Sequence, residues 1–184
     1  MKLIPTLIFA LATGQAVAAT FNTPVANKSS VAFVSKQMGV AVNGGFGKFT
    51  SQISFDPAKP EAGKAQIDIT LASIDAGSSE ANDEVKGKSW FSVKEYPVAT
   101  FVSSSLKPLG GNRYQATGRL TIKGKSRDVV VPFTVNPSGF NLLLDGAIPI
   151  LRSQYGIGEG AWADPSVVAD EVQVRFHFTL SVSK

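Results

Sequence analysis

From Val172 to Val182 every second residue is apolar (Val172, Val174, Phe176, Phe178, Leu180, Val182), while Gln173, Arg175, His177, Thr179 and Ser181 fill the gaps. A repeat of two sends alternate side chains to opposite faces of an extended chain, so this segment is predicted to be a long strand with one dry face. The same alternation recurs at about 31–35, 46–55, 64–73, 98–106, 113–123, 129–135 and 140–150, and the last segment extends over about 171–183. Turn-forming residues lie between neighbours, at Gly110, Gly111 and Asn112, at Lys123, Gly124 and Lys125, and at Asn136, Pro137, Ser138 and Gly139. Consecutive strands are therefore expected to pair as antiparallel hairpins.

Two stretches break the pattern. Around 78–96 the run Glu80, Ala81, Asn82, Asp83, Glu84, Val85 lacks alternation and follows a serine suited to capping, which predicts a short helix, and Pro97 then restarts an extended chain. The segment 156–168 holds Gly156, Gly158, Gly160 and Pro165 and is predicted to be a long loop, a length usually tied to function or motion.

Eight antiparallel strands with one dry face each can form a sandwich or close into a barrel. Strands of about 10 to 12 residues span roughly 35 Å, and a tilt of about 40° gives a barrel roughly 27 Å deep. The expected fold is all-β: an eight-stranded antiparallel barrel with a short helical insertion. Such a barrel either fills with side chains or holds one small ligand. Its predicted inward set mixes Phe33, Ile53, Phe55, Ile67, Ile69, Phe101, Leu120, Ile122, Phe133, Ile148, Ile150, Phe176 and Phe178 with Ala65, Ala99, Ala116, Gly118 and Gly146. The small positions leave room for a ligand, or the large ones fill it; the pattern alone leaves both open.

The chain of 184 residues has no cysteine and one histidine. Disulfides, thiol chemistry and Cys/His metal sites are thereby excluded. The carboxylates Glu80, Asp83 and Glu84 read as a solvated helix face, so no metal site and no cofactor is expected. His177 falls on the outer face of the last strand, no Gly-x-Ser-x-Gly turn accompanies it, and serine hydrolysis is not expected. The glycine-rich run Asn43, Gly44, Gly45, Phe46, Gly47 lacks the Lys-Ser/Thr of a phosphate loop and reads as a turn or bulge.

The first 19 residues read as a cleaved signal peptide: Lys2, an apolar stretch from Leu3 to Ala12, and small residues around Ala16, Ala18 and Ala19. An apolar run of about ten residues is too short for a spanning helix, which needs about 20. Residues 20–184 are expected to form a single exported domain. The net charge of +4 is mild, and the basic residues show no aromatic interleaving, so nucleic acid is not an expected partner.

Four successive segments carry a resemblance: Gly45 to Phe49 followed by Ile53 to Pro57; Phe91 to Ser103 (FSVKEYPVATFVS); Gly118 to Gly124 (GRLTIKG); and Arg152 to Gly158 (RSQYGIG). In this order they resemble the YceI-like family over nearly the whole exported part. The resemblance implies a lipocalin-like barrel that sequesters a long isoprenoid lipid, including polyprenyl and quinone tails, in the periplasm. It favours an interior cavity over a filled one. The chain departs from the family in two places, with Ala81 and Asn82 where an Arg-Asp pair is common, and Leu151 where an aspartate often precedes the arginine. If those positions orient the head group in relatives, this chain's ligand or its orientation differs.

The expected function is periplasmic binding of a long isoprenoid or quinone-like lipid without chemistry on it. Besides the large inward residues above, Phe46, Trp90, Phe91, Arg152 and Tyr155 are expected to bind the ligand. Arg152 is the next inward position after Ile150; it either holds a polar head group near one rim together with Tyr155, or pairs with Asp75, Asp83, Glu84 or Glu159 and pins the long loop. Trp90, Phe91 and Tyr96 flank the helix as a lid or as a plug. The rival reading is a packed barrel whose exposed loops, with residues such as Trp162, contact a membrane redox protein; cavity volume separates the two.

Overall fold

The computed structural model describes residues 20–182; the expected signal peptide over 1–19 lies outside them. The alternating segments form one antiparallel sheet of eleven strands that curls into a barrel. In chain order these are β1 (Phe21–Pro24), β2 (Ser30–Gln37), β3 (Val40–Phe46), β4 (Phe49–Ser54), β5 (Lys64–Thr70), β6 (Ile74–Asp75), β7 (Val98–Gly110), β8 (Arg113–Ile122), β9 (Lys125–Ser138), β10 (Asn141–Leu151) and β11 (Glu171–Val182). A single α-helix, α1 (Ser79–Lys86), lies between β6 and β7. Neighbours run β4-β5-β7-β8-β9-β10-β11-β2-β3-β6, with β1 beside β11.

The eight predicted strands are all present, and three more accompany them. β1 and β6 are four and two residues long, too short for alternation to register. β3 escapes because Gly44 and Gly45, read as a turn, sit mid-strand opposite Phe33 and Ala32 of β2. The reason is close approach: a Cβ on Gly44 would collide with the Phe33 ring, so this wall position must lack a side chain for the ring to lie flat against it. β9 is also longer than expected at both ends, with Asn136 and Pro137 paired to Leu143 and Leu142 and the chain reversing at Gly139, whose φ is +60°.

The seam is tied at both rims. At one, Phe21 and Phe55 exchange backbone hydrogen bonds of 2.9 Å, so β1 spans from β11 to the end of β4. At the other, Gly47 N–H donates to the Ser73 carbonyl and Thr70 N–H to the Lys48 carbonyl, both at 3.0 Å. The two ends of the barrel differ. Near the first rim Phe55, fully buried, meets Tyr114 edge-on at 5.1 Å and Phe133 at 6.4 Å, and this aromatic cluster shuts that end. Toward the other end the packing thins to a smaller cluster of Leu71, Ala99, Ile122, Tyr155 and Ile157, against which Trp90, Phe91 and Val93, just after α1, pack. Ser78 caps α1 as expected, its hydroxyl accepting from Ala81 N–H at 3.1 Å.

Candidate functional site

The barrel encloses a cavity of about 600 Å³. Its wall is the inner face predicted by alternation, Phe33 on β2, Ile53 and Phe55 on and after β4, Ile67 and Ile69 on β5, Phe101 on β7, Leu120 and Ile122 on β8, Phe133 on β9, Ile148 and Ile150 on β10, and Phe176 and Phe178 on β11, joined by Phe46 on β3. Ala65, Ala99 and Ala116 line it as well and leave the room that larger side chains would take. The inward glycines behave differently. Phe101 crowds Gly118 and Phe176 crowds Gly146, so closely that a Cβ at either glycine would overlap the ring. Phenylalanine rings thus occupy the space at the glycines, and the alanines keep the interior open.

Among the described residues that line the cavity, the polar side chains lie toward the helical end. There Ser35 and Gln37 of β2, Glu80 and Glu84 of α1, Arg152 and Trp162 join Trp90 and Phe91 around the cavity. Glu80 and Glu84, one helical turn apart, stay exposed as expected of a solvated face and border the cavity mouth beside Ala81 and Val85. Ala81 and Val85, at i, i+4, form the weakly apolar, half-buried stripe of the helix that faces the cavity. Hydrogen bonds from its own backbone N–H and from Ser78 and Ser79 hold the Glu80 carboxyl below the usual carboxylate range.

Arg152 is 2% exposed and pairs with none of the four carboxylates expected for it. Its Nε donates to the Ala169 carbonyl at 3.1 Å, Nη1 to Ile157 and Gly158 at 2.8 Å each, and Nη2 to Trp162 at 2.8 Å and Val168 at 2.7 Å. A guanidinium has five N–H donors, and all five are spent on backbone oxygens of the 156–169 segment. The arginine therefore pins the long loop, through carbonyls rather than carboxylates. Gly158 has φ +73°, and its missing side chain leaves the space that Nη1 occupies. The guanidinium also lies 5.9 Å from the centre of the Trp90 ring, within range of a cation–π contact.

Tyr155 does not join the cavity. Alternation ends at Leu151, and Arg152–Tyr155 forms one tight helical turn, so counting every second residue inward stops there. The ring is 1% exposed and packs in the small cluster with Leu71 and Ile157; burial pushes its phenol above the usual tyrosine range, with Arg127 pulling the other way.

The loop and the helix meet over the cavity. Trp162 Nε1 donates to Glu84 Oε1 at 2.8 Å, the Trp90 and Trp162 rings lie 5.6 Å apart, and the Ser89 carbonyl accepts from both Gly158 and Glu159 N–H at 2.8 Å. From below, Lys123 Nζ bonds the Gly156 carbonyl and reaches Glu159 at 3.0 Å. Trp90 and Phe91 pack into the smaller cluster while still facing the cavity, so they serve as wall and cover together.

A dry, aromatic-walled barrel with a covered end invites comparison with known proteins. A model of the YceI-like domain matches residues 23–180. The chain belongs to the YceI-like family. A UPF0312 protein of Pseudomonas putida is 34% identical over 133 residues, 70% of this chain and 68% of that relative. The crystal structure of BcnA from Burkholderia cenocepacia superposes with a TM-score of 0.83 at 52% identity, covering 85% of this chain and 98% of that one. A polyisoprenoid binding domain from Saccharophagus degradans shares the fold at a TM-score of 0.67 and 17% identity, over 91% of this chain and all of that one.

Outside the barrel of this YceI-like protein, Asp145 Oδ1 lies 2.6 Å from His177 Nδ1, and His177 Nε2 lies 3.4 Å from the Thr179 hydroxyl. The order mimics a hydrolytic triad, but the buried Thr179 hydroxyl donates to the Lys28 carbonyl at 3.0 Å and offers no attacking oxygen. Among the described residues no group of His, Cys, Asp and Glu could hold a metal ion.

Proposed function

We propose that this YceI-like protein, exported after removal of residues 1–19, binds a long isoprenoid or quinone-like lipid in its barrel in the periplasm and carries out no chemistry on it. The observation that carries this reading is the cavity: about 600 Å³ with apolar walls from one end to the other and polar groups at the mouth alone. Its size falls in the range of small-molecule sites, roughly 300–1,000 Å³. Burial is worth about 0.8 kcal/mol per methylene, so about ten methylene-sized groups reach the roughly 8 kcal/mol of micromolar affinity. The tail supplies the affinity and the mouth chooses the head. The name of the Saccharophagus degradans domain, polyisoprenoid binding, agrees with this reading. A packed barrel acting only through its loops would need no such cavity.

The test is native mass spectrometry of the protein purified without detergent from its own cells, followed by solvent extraction. A stoichiometric polyprenyl or quinone mass is expected. Protein that comes out empty and takes up no such lipid in vitro overturns the reading and returns the barrel to an accessory role beside a membrane protein.

A further inference from the structure

We infer that the tip of the β2–β3 hairpin, Met38 to Val40, is the edge by which this protein docks on a lipid bilayer, so that the open end of the barrel lies beside the membrane from which its ligand comes. The inference rests on the lipid-binding reading above and adds the surface through which the lipid enters.

The tip breaks two rules at once. Met38 and Gly39 have φ of +48° and +80°, the left-handed pair of a two-residue hairpin turn, in which Asn-Gly is the favoured sequence and a methionine is strained. The same pair of conformations recurs at Lys123 and Gly124, but there the long side chain reaches the Gly156 carbonyl and Glu159 and holds the loop. Met38 is instead 74% exposed, and Val40 beside it 68%. Two large apolar side chains are thus held in water, one of them at a backbone position that disfavours it. Conflicts of this kind between local preference and residue are expected at functional positions.

The tip is also braced. Met38 N–H donates to the Val167 carbonyl at 2.8 Å and Ala169 N–H to the Lys36 carbonyl at 2.9 Å, which fastens the hairpin to the end of the long loop. Behind it Ser35, Gln37 and Val42 border the cavity, so a surface that covers Met38 and Val40 lies beside the way in.

A bilayer is the partner that fits. β2 and β3 together carry one charged residue, Lys36, and no carboxylate. Lys36 is exposed and takes part in none of the ion pairs among the described residues. An apolar tip with a cation two residues behind it suits the interface of a bilayer that contains anionic lipid. The exposed carboxylates of this end, Glu80, Glu84 and Asp164, are carried by α1 and the long loop, so the docking is edge-on, with the hairpin toward lipid and the helix toward water. β6 pairs only with Gly45 and Phe46, and among the described residues the outer edge of β3 from Val40 to Asn43 has no strand partner. Its backbone N–H and C=O groups need water, so the contact stops at the head-group layer and only side chains pass below it. The opposite end offers Phe140, 92% exposed, but aromatic rings shut the barrel there, and docking on it would turn the open end away from the membrane.

Flotation of the exported chain with vesicles of phosphatidylcholine and phosphatidylglycerol, free of isoprenoid, tests the contact by itself. Wild type is expected to float, and the double variant Met38→Asn, Val40→Thr to bind about tenfold more weakly. Asparagine suits the left-handed turn, so the variant should melt no lower than wild type, and lost docking is then not lost fold. Phe140→Ser, at the shut end, should float as wild type does. Loading is read as the rate at which geranylgeraniol passes from such vesicles into the protein, followed by native mass spectrometry; it should be about tenfold slower in the double variant, in step with the weaker docking, with the same final occupancy. A double variant that floats and loads like wild type, or a Phe140→Ser protein that fails to float, overturns the docking edge while the lipid-binding reading stands. Wild type that stays off vesicles but forms dimers in sedimentation velocity, which the double variant does not form, also overturns it, in favour of a second copy covering the tip. Protein that floats but takes up no isoprenoid from any source removes the lipid-binding reading, and the entry edge with it.

Discussion

Trp162 Nε1 donates to Glu84 Oε1 at 2.8 Å across 78 residues of chain, and this bond fastens the 156–168 loop to helix α1 above the cavity. Glu84 is exposed and Trp162 half-buried, so the bond contributes little to global stability, on the order of 1 kcal/mol. Its effect is local. Trp162→Phe keeps a ring against Trp90 but removes the donor, and is expected to speed hydrogen exchange in α1 and in the loop about fivefold while moving the thermal midpoint only slightly. Bound lipid should also leave faster. Unchanged exchange in α1 would show that the latch is held by ring packing instead.

Arg152 is where stability concentrates. Arg152→Ala leaves five carbonyls without this donor, three of them in buried bonds and two in part-buried ones, and a loss of about 3 kcal/mol or more is expected by urea unfolding. The five bonds make it a fold-disrupting change centred on the loop. Arg152→Lys should rescue little, because an ammonium has three donors and no planar fork. A lysine variant with full stability would show that two or three of the five bonds suffice.

These two residues also show what alternation can and cannot reveal. The strand from Glu171 to Val182 is legible because one face is dry along its whole length, and the same holds for the lining residues of β5, β8 and β10. Helix α1 is legible because Ser78 and the acidic first turn have local signatures. The partners of Arg152 are not, since they are main-chain oxygens of a loop, and a carbonyl leaves no mark in the side-chain sequence. Tyr155 was misplaced for a related reason: the period of two ends at Leu151, and the turn that follows points its ring into a separate cluster. Gly44 misled because glycine serves turns and close ring contacts alike, and only the position of Phe33 tells which.

The open interior depends on alanines that line it and on rings that lie against glycines, so two kinds of substitution should act in different ways. Ala116→Leu adds about three methylene-sized groups to the cavity wall; empty protein should gain up to about 2 kcal/mol, while lipid affinity falls tenfold or more. Gly146→Ala instead drives the Phe176 ring off its seat toward the cavity, and a loss of about 1–3 kcal/mol accompanies weaker binding. Calorimetry of both variants with and without lipid checks the contrast. Tighter lipid binding by Ala116→Leu would mean that the ligand does not occupy this part of the barrel.

The loop's lower fastening titrates. The hydrogen bond and charge of Lys123, with a further contribution from Lys125, hold the Glu159 carboxyl below its usual range. A carboxylate whose folded pKa is depressed stabilises the folded state fully above its unfolded value of about 4.3, and that contribution disappears as pH falls through the lower folded value. Above pH 5 the contact should therefore be intact, and below about pH 4 it should weaken, freeing Gly156 to Trp162 before the barrel unfolds. Glu159 is more than half exposed, so the effect is modest and salt should diminish it. The measurement is hydrogen exchange of the loop amides, corrected for intrinsic rates, in wild type and Glu159→Gln from pH 6 down to 3. The two proteins should differ near neutral pH and converge in acid; a constant difference across the range would place the loop's acid response on another group, with Asp164, also held low by its bonds from Ser166, the next to substitute.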